Sequence, residues 1–115
     1  MRRGDVWYAD LEPVRGSESN KVRPVLIVTN NGANLRARDL GCGVVTVVPL
    51  TSNVERVYPF QVLMLAEETG LPCDSKAQAE QVRALDVSRL KSFVKHVSDD
   101  LMTQVNNVLR IHLDL

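Results

Sequence analysis

The chain has 115 residues, of which 44% are hydrophobic and 24% charged, and its formal net charge is zero. This balance is typical of soluble globular proteins and disfavours intrinsic disorder and fibrous repeats. The length predicts one domain over residues 1–115 with one hydrophobic core. The longest stretch free of charge, residues 40–54, is shorter and more polar than the roughly 20 apolar residues of a membrane helix. Acidic residues at positions 5, 10 and 12 disfavour a signal peptide. We therefore expect a cytoplasmic protein without a membrane partner.

The charged residues are unevenly distributed along the chain. Residues 1–38 hold seven Lys/Arg against four Asp/Glu, which permits a phosphate-binding face near the N-terminal third. The excess is smaller than in a typical nucleic-acid-binding domain. Cys42 and Cys73 lie 31 positions apart, and neither they nor the two histidines have the spacing of a zinc site or a disulfide framework. We expect neither a metal nor a cofactor.

The first half of the chain predicts three strands and a short helix. Alternation at period two predicts a strand over residues 5–11, followed by a long polar loop. A β-branched run predicts a buried strand over residues 24–29, with Pro24 at its first position and a turn at residues 30–32. One or two helical turns over residues 34–39 should end at Gly41 or Gly43, before a core strand over residues 44–48.

The second half predicts a fourth strand over residues 60–65 and a single helical turn ending at Gly70. Residues 76–85 are predicted to form one half-exposed strand. Asp86 or Ser88 can cap the turn that follows, and residues 93–97 are predicted to form a last strand. Ser98 is a candidate N-cap for a terminal helix with a 3.6-residue apolar stripe from Leu101 to His112.

This order of elements predicts the fold class. Five or more short strands with small helices favour a mainly β protein with helices (α+β), built as a small barrel, over a βαβ sheet. The common enzyme motifs, namely GxGxxG, the Walker loop, GxSxG and HExxH, are absent from the sequence. What remains is a set of polar side chains at the predicted strand ends: Ser17, Glu18, Arg23, Thr51 and Ser52.

Several short motifs resemble those of the MazF/PemK toxin family in order and spacing. They are Arg3-Gly4-Asp5-Val6-Trp7, Asp10-Leu11-Glu12-Pro13, Gly16-Ser17-Glu18, Arg23-Pro24-Val25-Leu26, Val48-Pro49-Leu50-Thr51-Ser52, Tyr58-Pro59-Phe60 and Ala79-Glu80-Gln81-Val82-Arg83. The resemblance implies an SH3-like barrel with a C-terminal helix, assembled as a homodimer. It also implies the toxin of a toxin–antitoxin pair: a sequence-selective, metal-independent endoribonuclease that cuts single-stranded RNA, inhibits translation and growth, and is silenced by a cognate antitoxin. The RNA would be messenger RNA, with transfer and ribosomal RNA as alternatives.

The same resemblance assigns the candidate catalytic residues. Arg23 matches the family's catalytic arginine, and its guanidinium fork suits the equatorial oxygens of a phosphate. Thr51 matches the catalytic threonine, whose hydroxyl can donate to the same phosphate. Glu18 is the candidate general base, and the sequence does not assign the general acid. The RNA's own 2′-hydroxyl would be the nucleophile, which would leave a 2′,3′-cyclic phosphate and a 5′-hydroxyl.

A second group of residues is predicted to bind RNA: Ser17, Lys21, Ser52, Gln81 and Arg83. Gln81 and Arg83 would share a strand face, which could equally be an ordinary solvent-exposed face. Trp7 is more often a core residue than a base-stacking one in such a strand, and His96 and His112 read as structural.

Two other functions are alternatives to RNA cleavage. One is a toxin of the same fold that binds DNA gyrase without catalysis, which the absence of aromatic residues from the last five positions disfavours. The other is an RNA-binding barrel that no longer cleaves, which the presence of both Arg23 and Thr51 disfavours.

Overall fold

The computed structural model describes residues 1–11 and 22–115. The strands in these ranges are β1 (Asp5–Asp10), β2 (Val22–Ile27), β3 (Val44–Thr51), β4 (Gln61–Met64), β5 (Ser75–Gln78), β6 (Arg83–Asp86) and β7 (Leu90–His96). The helices are α1 (Asn31–Leu40), α2 (Ala66–Thr69) and α3 (Asp99–Leu113), and 3₁₀ turns cover Ala79–Gln81 and Val87–Arg89. The predictions for Ser17, Glu18 and Lys21 lie outside the described residues. No helix in the described ranges is long and apolar enough to cross a membrane.

The strands form a seven-stranded antiparallel sheet in the order β4-β5-β3-β2-β1-β7, and β6 also pairs with β3. The predicted class, mainly β with helices, is confirmed. Among the described residues no strand pairing joins β6 to β7, and the 3₁₀ turn Val87–Arg89 lies between them. The sheet of the predicted small barrel is therefore open at this point.

Both faces of the sheet are covered by apolar side chains. Successive residues of a strand point to opposite faces, so Val25 and Ile27 join one buried cluster while Leu26 joins the other. The cluster that holds Leu26 packs against α3 through Leu101 and Val105, among others. These opposed clusters explain why β2 and β3 read as continuous apolar runs without polar alternation.

Two details of the predicted strands were wrong. Residues 76–85 form two strands, because the 3₁₀ turn Ala79–Gln81 interrupts them and buries Ala79 in the cluster beneath α3. The turn carries the chain from β5, which pairs with the end of β3, to β6, which pairs with its beginning. Pro24 is the third residue of β2 and not the first, and it lies opposite Tyr8 of β1.

The helix ends follow local capping rules. The side chain of Asn30 accepts a hydrogen bond from the Ala33 N–H at 2.9 Å, so the predicted turn at residues 30–32 is the start of α1. Gly41 ends α1 with φ +67°, a left-handed conformation that favours glycine. Asp86 caps the second 3₁₀ turn as predicted, and hydrogen bonds from the side chain and backbone of Ser88 lower the pKa of its carboxyl.

The terminal helix also begins as predicted. Ser98 Oγ accepts a hydrogen bond from the Leu101 N–H at 3.2 Å, and Asp99 and Asp100 lie in the first turn, near the positive end of the helix dipole. The buried stripe ends before His112, which is exposed. Because α3 covers one face of the sheet, its cap contributes to the stability of the whole fold.

Replacing Ser98 with Ala removes this cap. We expect Ser98→Ala to lower the free energy of unfolding by about 1 kcal/mol, measured by urea denaturation. Ser92 is an exposed serine of β7 with no capping role, so Ser92→Ala is the matched control and should change stability by less than about 0.5 kcal/mol. Equal effects of the two substitutions would contradict the capping role.

Candidate functional site

The central strand β3 loses one of its two neighbours near its C-terminal end. Its pairing with β2 runs from Ile27–Val47 to Val25–Pro49 and stops there. Along its other edge β3 pairs first with β6 and then, at Leu50 and Thr51, with β5. A proline lies on each strand at this point, Pro24 on β2 and Pro49 on β3, and proline has no N–H to donate to a neighbouring strand. The two strands therefore separate where the prolines lie.

A cleft of about 530 Å³ opens at this separation. The ends of β2 and β3 supply Arg23, Pro24, Thr51 and Ser52, and the end of β1 supplies Leu11. Arg23 and Thr51 both line the cleft just beyond the last β2–β3 pair, Val25–Pro49. The two residues that the sequence singled out for catalysis, 28 positions apart, thus line one cleft.

Arg23 is exposed on β2 and lies opposite Ala9 in the pairing with β1. One guanidinium nitrogen, Nη1, donates to the carbonyl of the adjacent Val22 at 3.2 Å. Within residues 1–11 and 22–115, no carboxylate lies within ion-pair distance of this guanidinium. Most of its donors are consequently available to an anion in the cleft.

Thr51 is half-buried at the last position of β3. Its Oγ1 accepts a hydrogen bond from the backbone N–H of Asn53 at 3.3 Å. This contact fixes the hydroxyl as an acceptor on one side and leaves its proton free to be donated elsewhere. Ser52, which is exposed, adds a second hydroxyl to the cleft.

Two further predicted RNA-binding residues that the structure describes, Gln81 and Arg83, lie outside the cleft. Gln81 is exposed on the first 3₁₀ turn, whereas Arg83 is half-buried on β6, so the predicted shared strand face is wrong because the turn ends between them. Neither residue lines the cleft. Arg83 Nη1 donates to the carbonyl of Leu11 at 3.0 Å, which ties β6 to the cleft wall.

Several residues of the cleft were missed by the sequence analysis. They are Tyr8, Leu71, Pro72, Cys73, Ser75 and Gln78. Tyr8 lies opposite Pro24 of β2, a pairing that depends on the register of two strands and leaves no local signal in the sequence. Cys73 is exposed in the cleft, and Ser75 and Gln78 lie on β5, which pairs with the end of β3 and so borders the cleft.

Trp7 and the histidines lie away from Arg23 and Thr51. The Trp7 ring packs edge-on against Phe93 at 5.9 Å and contacts the buried cluster, in agreement with a core role. His96 Nδ1 lies 2.7 Å from a carboxylate oxygen of the buried Asp5, at the opposite end of β1 from Leu11. Six residues of extended chain span about 20 Å, so this pair does not reach the cleft.

Chemically, the cleft combines a permanently charged guanidinium with two hydroxyl groups. This set binds a tetrahedral anion well, because the guanidinium pairs with two of its oxygens while a hydroxyl donates to another. The fold and the cleft together define a small β-rich protein with a cleft at a strand separation whose side chains suit an anion.

Comparison with known proteins identifies the family. The family model described as PemK-like, MazF-like toxin of type II toxin-antitoxin system matches residues 2–113. The chain is 52% identical to endoribonuclease MazF9 of Mycobacterium tuberculosis, covering 100% of this chain and 98% of that protein. It is 39% identical to endoribonuclease MazF of Staphylococcus saprophyticus subsp. saprophyticus, covering 100% and 92%. The fold is similar, with a TM-score of 0.74 and 26% identity, to a solved endoribonuclease from a mycobacterial species in complex with its cognate antitoxin, covering 100% and 94%.

This chain belongs to the PemK-like, MazF-like toxin family of type II toxin–antitoxin systems. The match covers nearly the whole chain, so the resemblance carried by its short motifs is confirmed.

Arg83 and Arg23 should contribute differently to stability, because Arg83 hydrogen-bonds to the backbone of Leu11 whereas Arg23 is exposed in the cleft. Arg83→Met removes a partly buried hydrogen bond to a backbone carbonyl, and we expect it to lower the free energy of unfolding by about 1 kcal/mol. Arg23→Met removes an exposed side chain and should change it by less than about 0.5 kcal/mol. Urea denaturation of both variants checks this, and a larger loss for Arg23→Met would contradict the assignment.

Proposed function

We propose that this chain is the toxin of a type II toxin–antitoxin system and acts as a sequence-selective endoribonuclease on single-stranded RNA. The observation that carries the proposal is the placement of Arg23 and Thr51 in one cleft. The 52% identity with a protein named as an endoribonuclease supports the same activity. Cleavage of messenger RNA would inhibit translation and growth, and transfer and ribosomal RNA are further candidate substrates.

The chemistry proposed is an in-line displacement at phosphorus. The 2′-oxygen of the RNA forms a bond to phosphorus, the bond from phosphorus to the 5′-oxygen breaks, and a 2′,3′-cyclic phosphate results. The 2′-hydroxyl proton passes to a general base, for which Glu18 is the candidate, and the departing 5′-oxygen gains a proton to become a 5′-hydroxyl. Negative charge increases on the non-bridging oxygens, where a fixed cation stabilises the transition state.

Arg23 and Thr51 would act on those non-bridging oxygens. The Arg23 guanidinium acts as a cation and a hydrogen-bond donor, so it stabilises the developing charge and does not transfer the proton. The Thr51 hydroxyl would donate to a further oxygen and hold the phosphorus in line with the 2′-oxygen. This scheme uses side chains and the RNA's own hydroxyl, and it needs no metal.

The proposed partners follow from the family. A cognate antitoxin would bind the toxin, as in the solved complex of a mycobacterial relative. We propose a homodimer, supported by large apolar side chains that a single chain leaves exposed, such as Leu40, Val44 and Phe93. We also propose a cytoplasmic location, where the RNA is.

The activity is tested by incubating the purified protein with a long single-stranded RNA in excess EDTA. We expect discrete cuts that end in a 2′,3′-cyclic phosphate on one fragment and a 5′-hydroxyl on the other, mapped by primer extension and end-group analysis. Absence of cleavage with EDTA and its return on adding Mg²⁺ would contradict the metal-independent scheme.

The two side chains are tested by matched substitutions. Arg23→Met and Thr51→Val should each lower the cleavage rate on the order of a hundredfold, because each removes a group that stabilises the transition state. Thr51→Ser keeps the hydroxyl and should retain most of the activity. Arg38→Met, on the exposed face of α1, is the control and should cleave like the unchanged protein. Retention of full activity by Thr51→Val would reduce Thr51 to a turn-forming residue.

A further inference from the structure

A second cavity lies beside the cleft, and we name it the Tyr58 pocket. Its volume is about 570 Å³, and its lining residues are Asn53, Glu55, Arg56, Tyr58 and Lys76. None of these residues lines the cleft, and none was singled out as a site residue from the sequence. The pocket is polar, and it is formed by the segment after β3 together with one residue of β5.

Lys76 is the unusual member of this pocket. It is only 7% exposed, although lysine is rarely buried without a charged partner. Its Nζ donates to the backbone carbonyl of Arg56 at 2.6 Å. An ammonium has three N–H donors, so two remain for another acceptor. In the described ranges no carboxylate, including that of Glu55, lies within ion-pair distance of Lys76 or Arg56.

An aromatic ring holds the two cations close together. The Arg56 guanidinium carbon lies 5.5 Å from the centre of the Tyr58 ring, and Lys76 Nζ lies 5.6 Å from it. Tyr58 is itself stacked on Phe60, with ring centres 5.3 Å apart and planes 7° from parallel. The ring attracts both cations but has no net charge. Two positive groups and one carboxylate therefore leave the pocket with a net positive charge, which favours an anion.

The pocket continues directly from the cleft. Thr51 and Lys76 are cross-strand partners in β3 and β5, and such partners lie on the same face, with Cβ atoms about 5 Å apart. Asn53, which lines the pocket, donates its N–H to Thr51 Oγ1. A polyanionic strand with one phosphate at Thr51 would thus have its neighbouring phosphates beside Lys76 and Arg56.

We propose that the Tyr58 pocket binds a phosphate of the RNA at a nucleotide flanking the cleaved bond, through the Arg56 guanidinium and the Lys76 ammonium. This inference rests on the proposed function and adds a second phosphate-binding subsite to it. A phosphate fits better than a base, because Phe60 covers one face of the Tyr58 ring and two cations lie against that ring, which leaves little of it for stacking. The contact positions the strand and carries no base preference.

The test uses Arg56→Met, because the Arg56 side chain is exposed and its loss should spare the fold. Lys91→Met is the matched control: it removes an exposed cation on β7, at the opposite end of the sheet from β5. The probe is a fluorescent RNA oligonucleotide that spans a mapped cut, with a 2′-O-methyl group at the cleaved nucleotide. Its affinity is measured by fluorescence anisotropy at several salt concentrations.

We expect Arg56→Met to weaken binding about tenfold. The slope of log affinity against log salt concentration should decrease in magnitude by about 0.7, the value for one phosphate contact on a single strand. Lys91→Met should leave both quantities unchanged. An unaltered slope and affinity in Arg56→Met would overturn the subsite.

A second measurement locates the phosphate. Replacing each flanking phosphate in turn with a neutral methylphosphonate should identify one position that weakens binding to the unchanged protein but not to Arg56→Met. Equal losses in both proteins at every position would overturn the proposal. If Arg56→Met weakens binding of labelled poly-glutamate and leaves RNA binding unchanged, the pocket serves an acidic peptide and the RNA proposal is wrong.

Failure of the subsite differs from failure of the proposed function. If the unchanged protein cuts RNA while Arg56→Met binds it with the same salt slope, the Tyr58 pocket alone is refuted. If the unchanged protein neither binds nor cuts single-stranded RNA, the proposed function fails first.

Discussion

The end of the β2–β3 pairing is the constraint on which the candidate site depends. The two strands pair as far as Val25–Pro49, and a proline on each strand marks the point of separation. Because the strands separate there, a cleft opens between them. On its other edge β3 stays paired with β5, which sets Thr51 beside Lys76, so the cleft and the Tyr58 pocket meet at one cross-strand pair. Restoring a continuous β2–β3 ladder would remove the cleft.

Local charge, and not net charge, explains how a neutral chain can act on RNA. Arg3, Arg83 and Arg89 donate to backbone carbonyls of residues distant in the chain and hold segments of the fold together. Arg23 and Arg56 are exposed and, in the part of the chain that the structure describes, have no carboxylate within ion-pair distance. A bound phosphate interacts mainly with charges within about one Debye length, near 8 Å at physiological salt, because the solvent ions screen more distant charges. The net charge of the whole molecule therefore matters less to it than the charges nearby. The zero net charge is therefore compatible with the proposed activity.

Much of the secondary structure could be predicted because its signals are local. The cap at Ser98, the glycine stops at Gly41 and Gly70, and the apolar run of β3 each depend on a few adjacent residues. The failures involve contacts across the sheet. Residues 76–85 are divided into two strands because β5 and β6 pair with different parts of β3. Strand β2 begins two residues before Pro24 because Val22 and Arg23 pair with β1. Neither pairing leaves a pattern within ten residues of sequence.

By itself, the sequence determined the fold class, because the spacing of apolar residues indicates strands and helices. It also determined the family and the choice of Arg23 and Thr51 as candidate residues, because short motifs can be recognised from adjacent residues alone. Only the tertiary structure decided that these two residues share a cleft, that Gln81 and Arg83 lie outside it, and that Lys76 is buried beside Thr51. The physical reason is that strand pairing joins residues far apart in the chain. Which pairs meet depends on where ladder hydrogen bonds end, and that depends on every strand of the sheet at once.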